Sequence, residues 1–98
     1  MARFLDVDPR TLHLPSSMLS GADLGKFARQ FSKYGLSTVG MPAIKVEVDP
    51  DGRLIIIDGV TRATRVARFL PGQHVSVEVI GATRYNAAKL PTVAERLP

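Results

Sequence analysis

The stretch Leu54-Ile55-Ile56-Ile57-Asp58-Gly59-Val60-Thr61-Arg62-Ala63-Thr64-Arg65-Val66-Ala67 passes from an unbroken apolar run through Asp-Gly into a segment with a helical apolar stripe. It reads as a buried strand, a tight turn and a helix that starts at about Val60. A strand apolar on both faces suits a central place in a sheet. The first amides of a helix have no intrahelical partner. Those of Val60, Thr61 and Arg62 are therefore placed to face an anion, with the Thr61 hydroxyl and the Arg62 guanidinium alongside. Gly59 lets the chain turn sharply or lets a ligand approach the backbone. The plainer alternative is an ordinary turn capped by Asp58, with Arg62 paired to a surface carboxylate.

Working outward, Ala43 to Val48 alternates Ile44, Val46 and Val48 with Lys45 and Glu47, a half-buried strand. Asp49-Pro50-Asp51-Gly52 is a tight-turn signal, so this strand and Arg53–Ile57 form a hairpin. The second helix runs to about Leu70 with Ala63, Val66, Ala67 and Leu70 as its stripe, and Pro71-Gly72 ends it. Val75, Val77 and Val79 alternate through a further strand. Upstream, Arg3 to Val7 is a short first strand and Leu12 to Ser20, with Pro15 and three serines, reads as loop. Ser20 to Asp23 resembles a capping box. Leu24, Phe27, Ala28 and Phe31 then share one helical face, which predicts a helix from about Ala22 to Tyr34 packed on the sheet. The expectation is a single α/β (α+β) domain over 1–98, with a small mixed sheet and two main helices. Its core spans about 3–81, and 82–98 form a C-terminal extension. Phe27, Phe31, Ile44, Val46, Ile56, Val66 and Val77 are expected to be buried.

The 98 residues contain no cysteine, which excludes disulfides, thiolate metal sites and a cysteine nucleophile. Thirteen Lys+Arg, most of them arginine, against nine Asp+Glu give a net charge of +4. That balance allows an anionic ligand or nucleic acid and equally serves solubility alone. No run is long and apolar enough to span a membrane and no signal-peptide pattern opens the chain. The expected setting is soluble and cytoplasmic, with no membrane partner.

Further candidates cluster around the Gly59 turn. Ser37 and Thr38 precede Gly40-Met41-Pro42 in a small-residue loop that could lie beside it and add hydroxyl donors. Arg65 and Arg68 follow Arg62 at intervals of three. They read either as a solvated helix face or as a strip that touches nucleic acid weakly and without sequence preference. Glu47 and Asp58 are the acids nearest a catalytic arrangement, as a pair for a divalent ion such as magnesium. No compact carboxylate cluster is visible, so robust catalysis is not expected. His13 and His74 stand alone, outside any metal-ligand spacing, and no resident metal site is read.

With these residues placed, the chain resembles the ParB/sulfiredoxin-fold superfamily, specifically the ParB-like N-terminal domain in its short, stand-alone bacterial form. The resemblance rests on Gly40-Met41-Pro42-Ala43-Ile44-Lys45-Val46, Asp51-Gly52, Ile57-Asp58-Gly59-Val60-Thr61-Arg62 and Val75–Ile80, and covers about residues 3 to 81. It implies a phosphate or nucleotide held at a Gly-x-x-Arg turn, here Gly59 and Arg62, in a superfamily that includes DNA-linked regulators, nucleases and ATPases. Val60 and Thr61 depart from the polar or basic pair usual between those positions, and Met41 stands where partition proteins commonly have glutamine. Val60 occupies the position of the sulfiredoxin cysteine, so that activity is excluded. The helix-turn-helix reader and further phosphate motif of partition proteins have no counterpart in these residues. The reading is a phosphate-, nucleotide- or nucleic-acid-backbone-binding module, with a nucleotide as the conceivable cofactor. A metal-assisted nuclease or NTP hydrolase, and a protein-interaction module with a degenerate site, are the alternatives.

Overall fold

The protein is described here from a computed structural model covering residues 3–98. Four strands, β1 (Arg3–Val7), β2 (Ile44–Val48), β3 (Leu54–Asp58) and β4 (Val75–Ala82), form one sheet in the order β1-β4-β2-β3. Two principal helices, α1 (Leu24–Tyr34) and α2 (Val60–Phe69), accompany it. β4 pairs antiparallel with β1 and parallel with β2, and β2 pairs antiparallel with β3. The mixed α+β architecture expected from the sequence is present.

α2 crosses between β3 and β4 and supplies the centre of the core. Its Val60, Ala63, Val66 and Ala67 are buried together with Ile44, Val46, Ile56, Val75 and Val77 from the sheet. Burying this face is what fixes α2 over the strands, because apolar area removed from water contributes about 25 cal/mol per Å².

α1 behaves differently from expectation. It has no fully buried residue, Phe27 is half-buried and Phe31 is 40% exposed. The principal helical partner of α1 is α2 rather than the sheet. Phe27 and Phe31 stack on Phe69 of α2, with ring centroids 5.7 and 4.7 Å apart. The cap also differs: Asp23 is the N-cap, and its carboxylate accepts from the Lys26 amide at 2.9 Å. α2 thus lies between the sheet and α1, covered on two sides.

β3 is an edge strand of the four rather than a central one. Its outer edge is closed by the segment expected to be loop. The His13 amide donates to Leu54 O and the Ile56 amide to His13 O, both at 2.9 Å. Leu12 and Leu14 on either side are fully buried. The C-terminal segment then covers 12–14 in turn, with Leu14 N donating to Pro91 O and Val93 N to Leu12 O. Val93 joins the main core, while Ala87 and Leu90 bury Ile55 on the second face of β3. Residues beyond 81 are therefore part of the core. This double cover explains why Ile55 and Ile56, on opposite faces of β3, are both apolar despite its edge position, while Ile57 stays 47% exposed.

Candidate functional site

β3 ends at Asp58, and Gly59 turns the chain into α2 with φ +113°. No side chain caps the helix start. The Asp58 cap of the plainer alternative is not made. An added Cβ at Gly59 would lie 2.9 Å from Arg62 Nη2 and 3.0 Å from Ile44 Cγ1. Only glycine fits here, for backbone angle and for space alike. The turn opens into a cavity of about 250 Å³ bordered by Gly59, Val60, Thr61, Arg62, Asp58 and, from α1, Lys26. Uncapped amides, the helix dipole and two cationic side chains make this end of α2 favourable to an anion.

Arg62 is held in place without being used up. Its Nη2 donates to Ala43 O at 3.3 Å and lies 3.6 Å from Asp58 Oδ2. Its Nε is buried without a partner. The Asp58 carboxylate is 64% exposed, so this long pair is screened by water and weak. The surface pairing foreseen for Arg62 exists in this loose form.

The loop from Ser37 to Pro42 does come to Arg62. A second cavity, of about 140 Å³, is bordered by Val39, Gly40, Met41 and Pro42 together with Arg62 and Arg65. Ser37 and Thr38 do not border either of these cavities. The Ser37 hydroxyl accepts from the Val39 amide at 3.2 Å, a local turn bond. Its carbonyl accepts from Arg65 Nη1 at 2.6 Å.

Arg65 is the largest departure from the sequence reading. It is 2% exposed and therefore presents no surface to nucleic acid. The cause is α1: a helix covered on two sides has no room for three solvent-facing arginines. Arg65 Nη1 also donates to Gly35 O at 3.1 Å, so the guanidinium binds the carbonyls that end α1. Its Cζ lies 5.4 Å from the Tyr34 ring centroid. Burial pulls its pKa below the ordinary arginine value, against an opposing effect of Tyr34. Arg68 is exposed but lies at the far end of α2, where its Nε donates to Pro98 O at 3.1 Å.

Glu47 and Asp58 do not converge. Glu47 borders a different cavity with Ile55, Ile57 and Tyr85, while Asp58 faces the Gly59 turn. Among the described residues there is no group of three or more His, Asp or Glu able to hold a metal ion. His13 is a structural bridge, its Nδ1 2.9 Å from Leu90 O.

Sequence reasoning missed Lys26 and Gln30, both at the Gly59 turn, because α1 was read only for its apolar face. It also missed the role of Asp49, which is 4% exposed and accepts from three amides, those of Asp51, Arg53 and Ala87, at 3.0, 2.7 and 3.0 Å. The Asp49-Pro50-Asp51-Gly52 turn signal was visible; its tie to residue 87 was not. No helix among the described residues is long and apolar enough to cross a membrane. No family model, curated protein or solved structure matches the chain.

Proposed function

We propose that the protein binds a phosphate group, free or carried by a nucleotide, at the start of α2. The observation that carries this reading is the uncapped N-terminus at Val60–Arg62 opening into a cavity edged by Arg62 and Lys26. The resemblance to the ParB/sulfiredoxin superfamily supports it, since Gly59 and Arg62 occupy its Gly-x-x-Arg positions. Gly59 brings the amides within reach of a ligand oxygen. Arg62 adds a charged donor whose Nε has no protein partner. Lys26 adds charge from the facing helix. The dispersed carboxylates favour holding the ligand over hydrolysing it.

Arg62→Ala is expected to weaken phosphate binding by about 1.5–3 kcal/mol, the scale of one charge-assisted hydrogen bond. Isothermal titration of wild type and variant checks this. Equal affinities would remove Arg62 from the site.

Nucleic acid is a weaker form of the same ligand. Arg65 is buried, so of the three arginines on α2 only Arg62 and Arg68 are left to meet a backbone, with Lys26 beside Arg62. Each phosphate contact contributes about 0.9 to the log–log salt slope on duplex DNA, so the slope should not exceed about 3. Fluorescence anisotropy on two unrelated duplexes at several salt concentrations measures it. Tight or sequence-selective binding would point to a different surface.

A further inference from the structure

We propose that the cavity between the C-terminal end of α1 and α2 is a second site, one that takes the carboxylate of a small apolar acid on the free edge of Arg65. The Arg65 guanidinium has two usable edges. Both bonds from Nη1 go to carbonyls just past the end of α1, those of Gly35 and Ser37. The other edge, formed by Nε and Nη2, meets almost nothing. Nη2 contacts the Met41 Sδ at 3.4 Å, and Nε has no partner at all. A thioether is a weak acceptor on a flexible side chain. It stands where a carboxylate would make two parallel charge-assisted bonds.

The arginine is buried, and among the described residues no ion pair reaches it. The described salt bridges join Arg53 to Asp49 and Asp51, and Arg62 to Asp58. A second donor on a residue bordering the same cavity, Arg62 Nε, is also buried without a partner. Unpartnered buried donors concentrated on one cavity call for an acceptor supplied from outside.

The walls and size select the ligand. Tyr34, Val39, Met41 and Pro42 give the cavity an apolar side, and its volume is about 140 Å³. A cavity of about 150 Å³ accommodates a benzene molecule. An acid of about four to seven carbons therefore fits, with its body on the apolar wall and its carboxylate at Nε and Nη2 once Met41 swings aside. The site borders the α2 N-terminus and shares Arg62 and Gln30 with it, but the group that holds the ligand is different. It uses the side chain of Arg65 and no amide of residues 60–62.

The test is NMR of the full chain, following the arginine Nε–H and methionine methyl signals, with benzoate and inorganic phosphate as probes. Benzoate should shift Arg65 Nε–H and the Met41 methyl saturably, with Kd on the order of 1 mM for so small a ligand. Phosphate should leave these two signals in place while it moves the amides of 60–62. Arg65→Lys lacks the fork and should weaken benzoate at least about tenfold. Val39→Asp provides a variant that keeps the fold, since Val39 is 89% exposed. It adds a like charge at the rim and should weaken benzoate several-fold. No saturable shift of Arg65 Nε–H, an equal response to phosphate, or undiminished binding by either variant would overturn the proposal.

Discussion

Gly59→Ala should destabilise the protein by about 2–4 kcal/mol, combining a left-handed backbone with an overpacked core position. The φ of +113° is one that an alanine adopts only under strain. The new Cβ would also press on Ile44 Cγ1, 3.0 Å away in the fully buried core. The Arg62 guanidinium at 2.9 Å can yield because it ends a flexible chain. Ile44 cannot yield without disturbing Val46 and Val77 around it. Urea unfolding measures the loss, and a variant as stable as wild type would show that the turn is not confined as described. The displaced Arg62 links this loss to function, since phosphate affinity should fall in the same variant even where it remains folded.

Asp49→Asn should lower Tm by about 10 °C and loosen the C-terminal segment first. One carboxylate oxygen accepts from the amides of Asp51 and Arg53, and the other from Ala87. An asparagine can supply the first oxygen but turns an NH₂ toward the Ala87 amide. Hydrogen exchange should then speed at Ala87 before it speeds in β4. The same bonds set a pH dependence. Burial alone would raise the Asp49 pKa, but the amides of Ala87, Arg53 and Asp51 and the Arg53 charge together hold it below the ordinary 3.8. A depressed carboxylate pKa stabilises the fold above the unfolded value, and that stability is lost as pH falls through the folded value. Asp23 and Glu95, also depressed by backbone hydrogen bonds, act in the same direction. Wild-type Tm should therefore decline below about pH 4, and less steeply in Asp49→Asn. Parallel curves would remove Asp49 from the acid response.

Those two residues also mark how far a sequence carries. The Gly59 turn was legible because every signal there is local: an apolar strand, Asp-Gly, then a helical stripe. β2 and β4 were legible for the same reason, through strict alternation, and the hairpin through its Asp49-Pro50-Asp51-Gly52 turn. Periodicity tells which face of α1 is apolar but not what it meets. Its partner, Phe69, sits outside the stripe read for α2. Arg65 was misplaced by the same blindness, since only the third dimension puts α1 over it. Leu12 and Leu14 alternate about His13 as a strand would, but the neighbouring Pro15 and serines obscured them. Ala87, Leu90 and Val93 are too widely spaced to read as a core segment. They become one only when the hairpin and residues 12–14 supply the other half.

The central claim is that the start of α2 receives a phosphate. Its most direct test is a titration of the full chain with inorganic phosphate and with a nucleoside triphosphate, followed by amide chemical shifts. The account predicts saturable shifts concentrated at residues 58–63 and at Lys26, moved to at least about tenfold higher ligand concentration by Arg62→Ala in a folded variant. Shifts absent there, or spread evenly over the basic surface and unaffected by that substitution, would contradict it.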